Sequence, residues 1–526
     1  MKAFLSRFGS VVTSVLSGLD RLVFRGTLIP LIRPLGIHAF LNRAGVHLID
    51  FTKYAQRITD ELKASSLREA HENDRPVRYL GSSKIDKEDL ARRIAADNPV
   101  EVGLVCAFTV VEPCTSFEYH RSRNPEERGL KPRRRKCLHI YKYYRHPEFG
   151  WLNARIQTWF PFNIQICMNG REWLAQRFAR AGRTDFEKND NCFTWLANPA
   201  LAQRWMDQQL ELDWAKALDS IARSLNPIHR RIFRPWPQNY YWTVYQSEWA
   251  TDLLFNSPGD LASIYPALVR HALLNFQSPD VMRFLGRKCH GRFQGEIRTR
   301  FKHRHEGLRV KHWADGNSIK MYDKAPTLLR VETTLAETKG LKAFRQLSTR
   351  AFSGTASDER GPLEWRQLRK GVADIHRRMQ ISQKANERYL DALSTIDDST
   401  PLAKLFDQFA RPTTFHGRRV RALRIGDPQE IRLLQAVSRG EFTTAGFRNA
   451  DIRRILHPGS DRLPADQRRK LAAKISRQLR ILRAHGVIRK VPKSHRYHLA
   501  KAGTTITAAL FAARNATLKQ LLNPAA

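Results

Sequence analysis

The run Ala465-Asp-Gln-Arg-Arg-Lys-Leu-Ala-Ala-Lys-Ile-Ser-Arg-Gln-Leu-Arg-Ile-Leu-Arg-Ala-His485 decides how the last quarter of this chain is read. It holds strong helix formers and no internal Gly or Pro, and Leu471, Ile475, Leu479 and Leu482 recur at helical spacing. Lys470, Lys474 and Arg477 stack on another side of the same helix, and Arg480 adds a further cation. Gly486 marks its C-terminal stop. Val487–Val491, a turn at Pro492–His495 and Arg496–Leu499 then read as a short basic hairpin carrying Arg489, Lys490, Lys493 and Arg496.

Working outward, two shorter helices precede this one. The first is capped by Asp427, with Pro428 next and Glu430 at the third position, and carries Ile431, Leu434 and Val437. The second starts near Asn449 and carries Ile452, Ile455 and Leu456, and a closing helix is expected over Thr504 to Leu521. Helices followed by a basic hairpin in this order resemble the winged-helix domains of MarR-type regulators. The resemblance implies a recognition helix in the DNA major groove and phosphates held by the wing. A basic helix that is only a solvated surface helix is the plainer alternative.

Composition points to a polyanionic partner. The 526 residues include 90 Lys and Arg against 50 Asp and Glu, a formal net charge of +40. The cations are spread along the chain, which favours a long phosphate-tracking surface over a basic tail. A hydrophobic content of 42% supports a true core and excludes a disordered polycation. The length corresponds to about three or four domains. We expect an α+β multidomain chain: a helical N-terminal region (1–100), a mixed α/β basic body with antiparallel strands (101–345), a helical connector (346–425) and the winged helix (426–526).

Within the N-terminal region, helices are expected over 36–67 and 84–96, and Val11–Gly18 reads as an amphipathic start with no export signal. Val102–Val111 reads as a buried strand. Residues 121–136, ending in Arg133, Arg134, Arg135 and Lys136, read as an exposed basic loop, followed by a hairpin of Leu138–Tyr144 and Leu152–Phe160. The basic-aromatic run Lys136–Arg145 suits stacking on unpaired bases, so RNA is the alternative partner to DNA. Helices are expected from about 170 to 290 and again over 362–395, and nine of the eleven tryptophans between Trp151 and Trp249 mark an aromatic core. The six cysteines show no CxxC pair and no zinc spacing, as in a reduced cytoplasmic protein. No P-loop, Rossmann glycines or GxSxG elbow is present, so no nucleotide cofactor is expected.

Chemistry concentrates in Gly307–Glu337. Asp315-Gly316 is a hairpin signal between alternating strands, placing Ile319, Met321 and Asp323 on one face and Lys320, Tyr322 and Lys324 on the other. The next strand puts Leu328, Arg330 and Glu332 together. Cations, a tyrosine hydroxyl and a carboxylate on one sheet face suit a phosphodiester, and a salt-bridged solvent-facing sheet uses the same residues without chemistry. Ile319-Lys-Met-Tyr-Asp-Lys324 and Leu328-Leu-Arg-Val-Glu-Thr333 resemble the K-x-Y-D-K and L-R-x-E strands of phage and plasmid rolling-circle replication initiators. That resemblance implies Tyr322 as nucleophile, with Asp323, Lys324, Arg330 and Glu332 beside it and Mg or Mn as cofactor. The His-hydrophobic-His motif of many such initiators has its nearest counterpart in Cys137-Leu-His139. Glu248 and Asp252 are read as a carboxylate pair on one helix face. The whole chain is similar to uncharacterised bacterial proteins associated with mobile elements.

The expectation is a DNA-binding, initiator- or transposase-like protein of a mobile element, acting in the bacterial cytoplasm at the nucleoid and without a membrane partner. A homo-oligomeric state is left open. A non-catalytic regulator and an RNA-binding protein are the alternatives.

Overall fold

Val12–Thr27 is a sixteen-residue strand (β1) around which the molecule is built. Val12, Val15, Leu16, Leu19, Leu22, Val23 and Phe24 give it β-forming and apolar character. Gly18 and Gly26 sit where neighbours approach closely: a Cβ would lie 2.2 Å from Met206 and 2.8 Å from Ile164 and Trp242, respectively. This strand corrects the expectation of a mostly helical N-terminal region. β1 is flanked on both sides and buries both faces over Leu16–Asp20, so its sequence shows no clean alternation to announce a strand.

The computed structural model describes the chain except residues 125, 127, 288–296, 305–306, 349–358, 397–405, 408, 440, 443–445, 492–493 and 517–526. In order, α1 (Lys2–Phe8), β1, α2 (Pro34–Arg43), α3 (Phe51–Glu72), β2 (Val77–Leu80), α4 (Lys87–Asp97), β3 (Gly103–His120), β4 (Gly129–His146), β5 (Gly150–Gln157) and β6 (Ile164–Asn169) come first. Then follow α5 (Gly170–Arg180), β7 (Phe186–Asn189), β8 (Cys192–Leu196), α6 (Pro199–Gln208), α7 (Trp214–Leu225), α8 (His229–Ile232), β9 (Tyr241–Phe255), α9 (Pro258–Leu274) and α10 (Ser278–Phe284). The body closes with β10 (Ile297–Arg304), β11 (Gly307–Ala314), β12 (Asn317–Ala325), β13 (Leu328–Leu335), β14 (Lys342–Ser348), β15 (Glu359–Gln367) and α11 (Ile375–Leu393).

Eleven strands form one sheet in the order β10-β11-β12-β13-β9-β1-β6-β5-β4-β3-β2. Every pairing is antiparallel except β2 with β3. The boundary expected at residue 100 therefore runs through this sheet, since β1 and β2 belong to it. One face carries the main core. Leu253, Val310, Ile319, Met321, Leu329 and Val331 pack against α1, α9, α10 and α11, while Leu22, Phe24, Ile164 and Trp242 pack with α2, α3 and α7. The other face keeps its polar residues for the site described below.

Other expectations are refined. The helix over 36–67 is two helices broken at Gly45, whose φ of 66° a helix does not allow. β9 lies inside the stretch read as helical, because a Trp-rich run with buried residues on both sides has no strand alternation. The basic loop of 121–136 becomes strand from Gly129, pairing Arg133 with Ser116 and Arg135 with Cys114. Residues 362–367 are strand in β15, and the helix of that region begins at Ile375. The expected β11–β12–β13 meander is present, with Asp315 in the left-handed region at φ 51° in the turn.

Beyond the body, β16 (Thr413–Phe415) and β17 (Arg418–Val420) form a small hairpin. Helices α12 (Pro428–Val437), α13 (Asn449–Leu456) and α14 (Ala465–Ala484), hairpin β18 (Ile488–Lys490) with β19 (Tyr497–Leu499), and α15 (Lys501–Asn515) follow. Asp427 caps α12 by accepting from the Gln429 amide. Ile431, Leu434, Ile452, Ile475, Leu479, Leu482, Val487 and Ile506 form a core of their own. Lys493, Cys289 and the end of the expected closing helix lie outside the described residues. No helix among the described residues is long and apolar enough to cross a membrane.

Helix α11 is fastened to the sheet by Arg378, which donates to Ser247 Oγ and to the Val244 and Leu335 carbonyls, and by a buried amide. Asn386 donates to the Trp249 and Val331 carbonyls, each at 3.0 Å, and to Thr251 Oγ1, and accepts from Thr333 Oγ1 at 2.7 Å. Asn386→Ala removes these four bonds and leaves the buried Thr333 hydroxyl without its acceptor, while Thr251 Oγ1 keeps Ser17 Oγ. The expected cost is about 1–3 kcal/mol, read as a lower urea midpoint.

Candidate functional site

The second face of the sheet is set by register. Across β12, β13 and β9, Tyr322 pairs with Arg330 and Arg330 with Asp252, Lys320 pairs with Glu332, and Thr334 pairs with Glu248. β1 brings the remaining acid through a bulge. Leu19 pairs with Trp249 and Leu22 with Ser247, so Asp20 and Arg21 together oppose Glu248. The bulge leaves Asp20 buried and Arg21 exposed. Asp20, Glu248 and Glu332, from three strands, each offer a carboxylate oxygen, and these oxygens lie within 4.8 Å of one another.

Cations and amides hold most of these acids in place. Arg330, wholly buried, donates to Asp252 at 2.5 and 2.8 Å, to Asp20 at 3.2 Å and to the Asn191 carbonyl at 2.7 Å. Arg171, at the start of α5, donates at 3.0 Å to Asp252 Oδ2, an oxygen that Arg330 also holds. Asn169 and Asn191 donate to Asp20 at 2.6 and 3.0 Å. Lys320 pairs with Glu332 Oε1 at 2.7 Å, and Tyr322 donates its hydroxyl to Glu332 Oε2 at 3.1 Å. Glu248 is bonded to no cation: it accepts from Gln246 at 3.1 Å and Thr334 at 3.5 Å and shares a hydrogen bond with the Glu332 carboxylate.

Arg330, Arg171 and Lys320 are thus bonded to Asp20, Asp252 and Glu332 but not to Glu248, and the proton affinities follow from that difference. Burial pushes the Asp20 carboxyl up, with Arg330 opposing. Burial also raises Glu332, but Lys320 and Arg330 outweigh it and hold that carboxyl below its usual value. Glu248 is pushed up to about 8, by burial first and then by the charges of Glu332 and Asp20. Burial and Glu332 raise the Tyr322 hydroxyl well above its usual value. The centre therefore has one acid short of a cation, on its partly buried side.

Of the residues singled out from sequence, Lys320, Tyr322, Arg330 and Glu332 meet here. Asp323 does not: it turns to the opposite face, beside Gly307 and Tyr265. Lys324 is directed to Asp190, 2.7 Å away. Glu248 and Asp252 do share a face, although on a strand. Cys137 and His139 take no part: among the described residues, the acidic triad is the group of His, Cys, Asp and Glu donors that converges. His139 is fully buried, with Nδ1 against the Cys137 carbonyl at 3.0 Å, and burial lowers it to about 4. Asp20 was missed; an aspartate inside an apolar strand was the available signal.

The expected nucleic-acid contacts are mostly at the surface. Lys470, Lys474, Arg477 and Arg480 are exposed on α14, as are Arg489 and Lys490 on β18, while Arg496 is partly buried. Arg134 and Lys136 are exposed, Arg133 pairs with Glu118 at 3.1 Å, and Arg135 lies 4.7 Å over the Trp159 ring. No family model matches the chain, and neither does any curated protein or solved structure.

Removing Arg330 leaves buried Asp20 with amide donors but no cation and buried Asp252 with Arg171 alone. Arg330→Met is expected to cost about 3–5 kcal/mol in urea unfolding, as for a broken buried ion pair. Glu248 gives a pH signature of opposite origin. An unfolded glutamate ionises near its usual value, whereas the folded group holds its proton to about 8. The unfolded state therefore loses the proton first, and metal-free stability falls as pH rises from the ordinary glutamate range toward 8. Glu248→Gln should flatten that fall, measured as urea midpoints at pH 5 and 8 in chelator; an unchanged slope would contradict the assignment.

Proposed function

We propose that this protein binds DNA through its C-terminal helices and hairpin, acting as a winged helix, and cuts phosphodiester bonds at a divalent-cation centre of Asp20, Glu248 and Glu332. This is the activity of an initiator- or transposase-like protein of a mobile element. The observation that carries it is the convergence of three carboxylates, from three strands, on the polar face of a sheet in a chain of +40 net charge.

The donor set fits the group. Hard oxygen ligands suit Mg or Mn, and the carboxylate oxygens of Asp20, Glu248 and Glu332, within 4.8 Å of one another, would hold such an ion. Such an ion supplies Lewis-acid polarisation of a phosphoryl oxygen and lowers the pKa of a bound water. It would also neutralise Glu248, the acid short of a cation. The protein's own groups then have separable tasks. Arg330, Asn169 and Asn191 fix Asp20, and Lys320 and Tyr322 fix the two oxygens of Glu332. Tyr322 keeps its proton and is buried, so in this reading it orients Glu332 and water is the nucleophile.

For the binding half, Lys474, Arg477 and Arg480 lie exposed on α14, which is followed directly by a hairpin bearing exposed Arg489 and Lys490. The cations on a helix and the adjoining hairpin match groove entry with flanking phosphate contacts.

End-labelled single- and double-stranded DNA with Mg or Mn, resolved on a denaturing gel, tests the reading. Wild type should cut. Glu332→Gln and Glu248→Gln should each lose about tenfold to a hundredfold in rate, with DNA affinity retained. Lys474→Ala with Arg477→Ala should weaken duplex binding and lower the salt slope by about two, one per phosphate contact. Intact DNA in every wild-type lane, with binding present, would reduce the protein to a DNA-binding one.

A further inference from the structure

The polar face continues past the triad toward the β10 edge, and there the register lines up like charges. Arg300 on β10 pairs with Lys311 on β11, Lys311 with Lys320 on β12, and Lys320 with Glu332 on β13. Two residues along the strands, Lys302 pairs with Arg309, and Arg309 with Tyr322. Like charges directly opposite each other on adjacent strands are destabilising, so a row of them is not a feature that folding favours. Burial, followed by Lys320 and Arg309, lowers the Lys311 ammonium below its usual value. The row is graded from rim to centre: Arg300 and Lys302 are exposed, Lys311 and Lys320 partly buried, and Glu332 fully buried.

Beside the row stands Trp313, partly buried, with Lys311 Nζ 4.7 Å from its ring centroid and the Arg300 guanidinium carbon 6.0 Å away. Arg298 on β10 is its register partner. Adjacent strands are about 4.8 Å apart, so Arg300, Lys311, Lys320 and Glu332 cover about 14 Å in a line across the sheet. A single file of cations ending at a carboxylate centre suits one sugar-phosphate backbone. A nearby aromatic ring suits an unpaired base, whose faces a duplex keeps closed.

We infer that Arg300, Lys311 and Lys320 form a track for a single-stranded nucleic acid, leading its backbone across the sheet to the Asp20–Glu248–Glu332 centre. The proposal rests on the reading of that triad as the place of cleavage, and names the form of substrate it receives. Duplex DNA, by contrast, is engaged by the C-terminal helices, and the track takes the unpaired strand.

The test is made on the full chain in chelator, so that binding is read without cleavage. A labelled thymidine oligonucleotide of about 16 nucleotides and a duplex of equal length are compared by fluorescence anisotropy, from about 50 to 200 mM salt. Arg300→Ala with Lys311→Ala should weaken single-strand binding at least tenfold and reduce its salt slope by about 1.4, two contacts at about 0.7 each. Duplex affinity should change less than twofold. Arg300→Glu alone, at an exposed position where folding is not at stake, should act in the same direction. Unchanged single-strand affinity and slope in both variants would overturn the track, as would an equal loss for duplex. The two readings fail separately: a wild type that cuts nothing while the variants lose single-strand binding removes the triad chemistry and keeps the track. A cutting wild type whose variants bind and cut equally well removes the track alone.

Discussion

The guanidinium of Arg330 is the interaction on which the centre of the molecule depends. It sits with no exposure between Asp252 of β9 and Asp20 of β1, and also holds the Asn191 carbonyl beside β8. Only a planar, permanently charged group with several donors satisfies acids from two neighbouring strands at once. Its partners lie 78 and 310 residues away in sequence. The buried charges become tolerable only when the three strands are assembled. The remaining acid, Glu248, is bonded to no cation and feels Lys320 and Arg21 only at longer range, and that asymmetry separates a structural salt-bridge network from a site with capacity left for a cation.

Topology makes the site depend on long-range pairing. β1 pairs with β9 across more than two hundred residues, and the triad exists only once that pairing and the β9–β13 pairing are in register. Long-range antiparallel pairing of this kind carries a large loop-closure cost before its contacts form. The C-terminal helices and hairpin are different in kind. Their core joins residues close in sequence, between Phe409 and Leu510. The proposed duplex-binding and cleaving parts thus rest on two separate cores.

Charge on the polar face is arranged by register. Acids gather at β1, β9 and β13, and cations line up on β10 to β12. A uniform basic surface would attract nucleic acid without orienting it. A cationic row that ends at buried carboxylates instead gives the attraction a direction, because the backbone is drawn along the cations and stopped where the sign changes.

Several elements follow from sequence alone. The β11–β13 meander was legible because Asp315-Gly316 fixes the turn and strict alternation fixes the faces, which placed Lys320 and Tyr322 together and Arg330 with Glu332. The helices from Pro428 to Ala484 and the following hairpin were legible from capping residues, helical spacing and Gly486. Glu248 and Asp252 share a face in either reading, since a spacing of four is close to one helical turn and equals two strand periods. What the tertiary structure decided is which strands meet. β1 and β9 bury both faces over much of their length, and burial on both sides erases the alternation that reveals a strand. Asp20 reaches the triad through a bulge that places two residues of β1 opposite one of β9, and such an offset exists only between strands already paired.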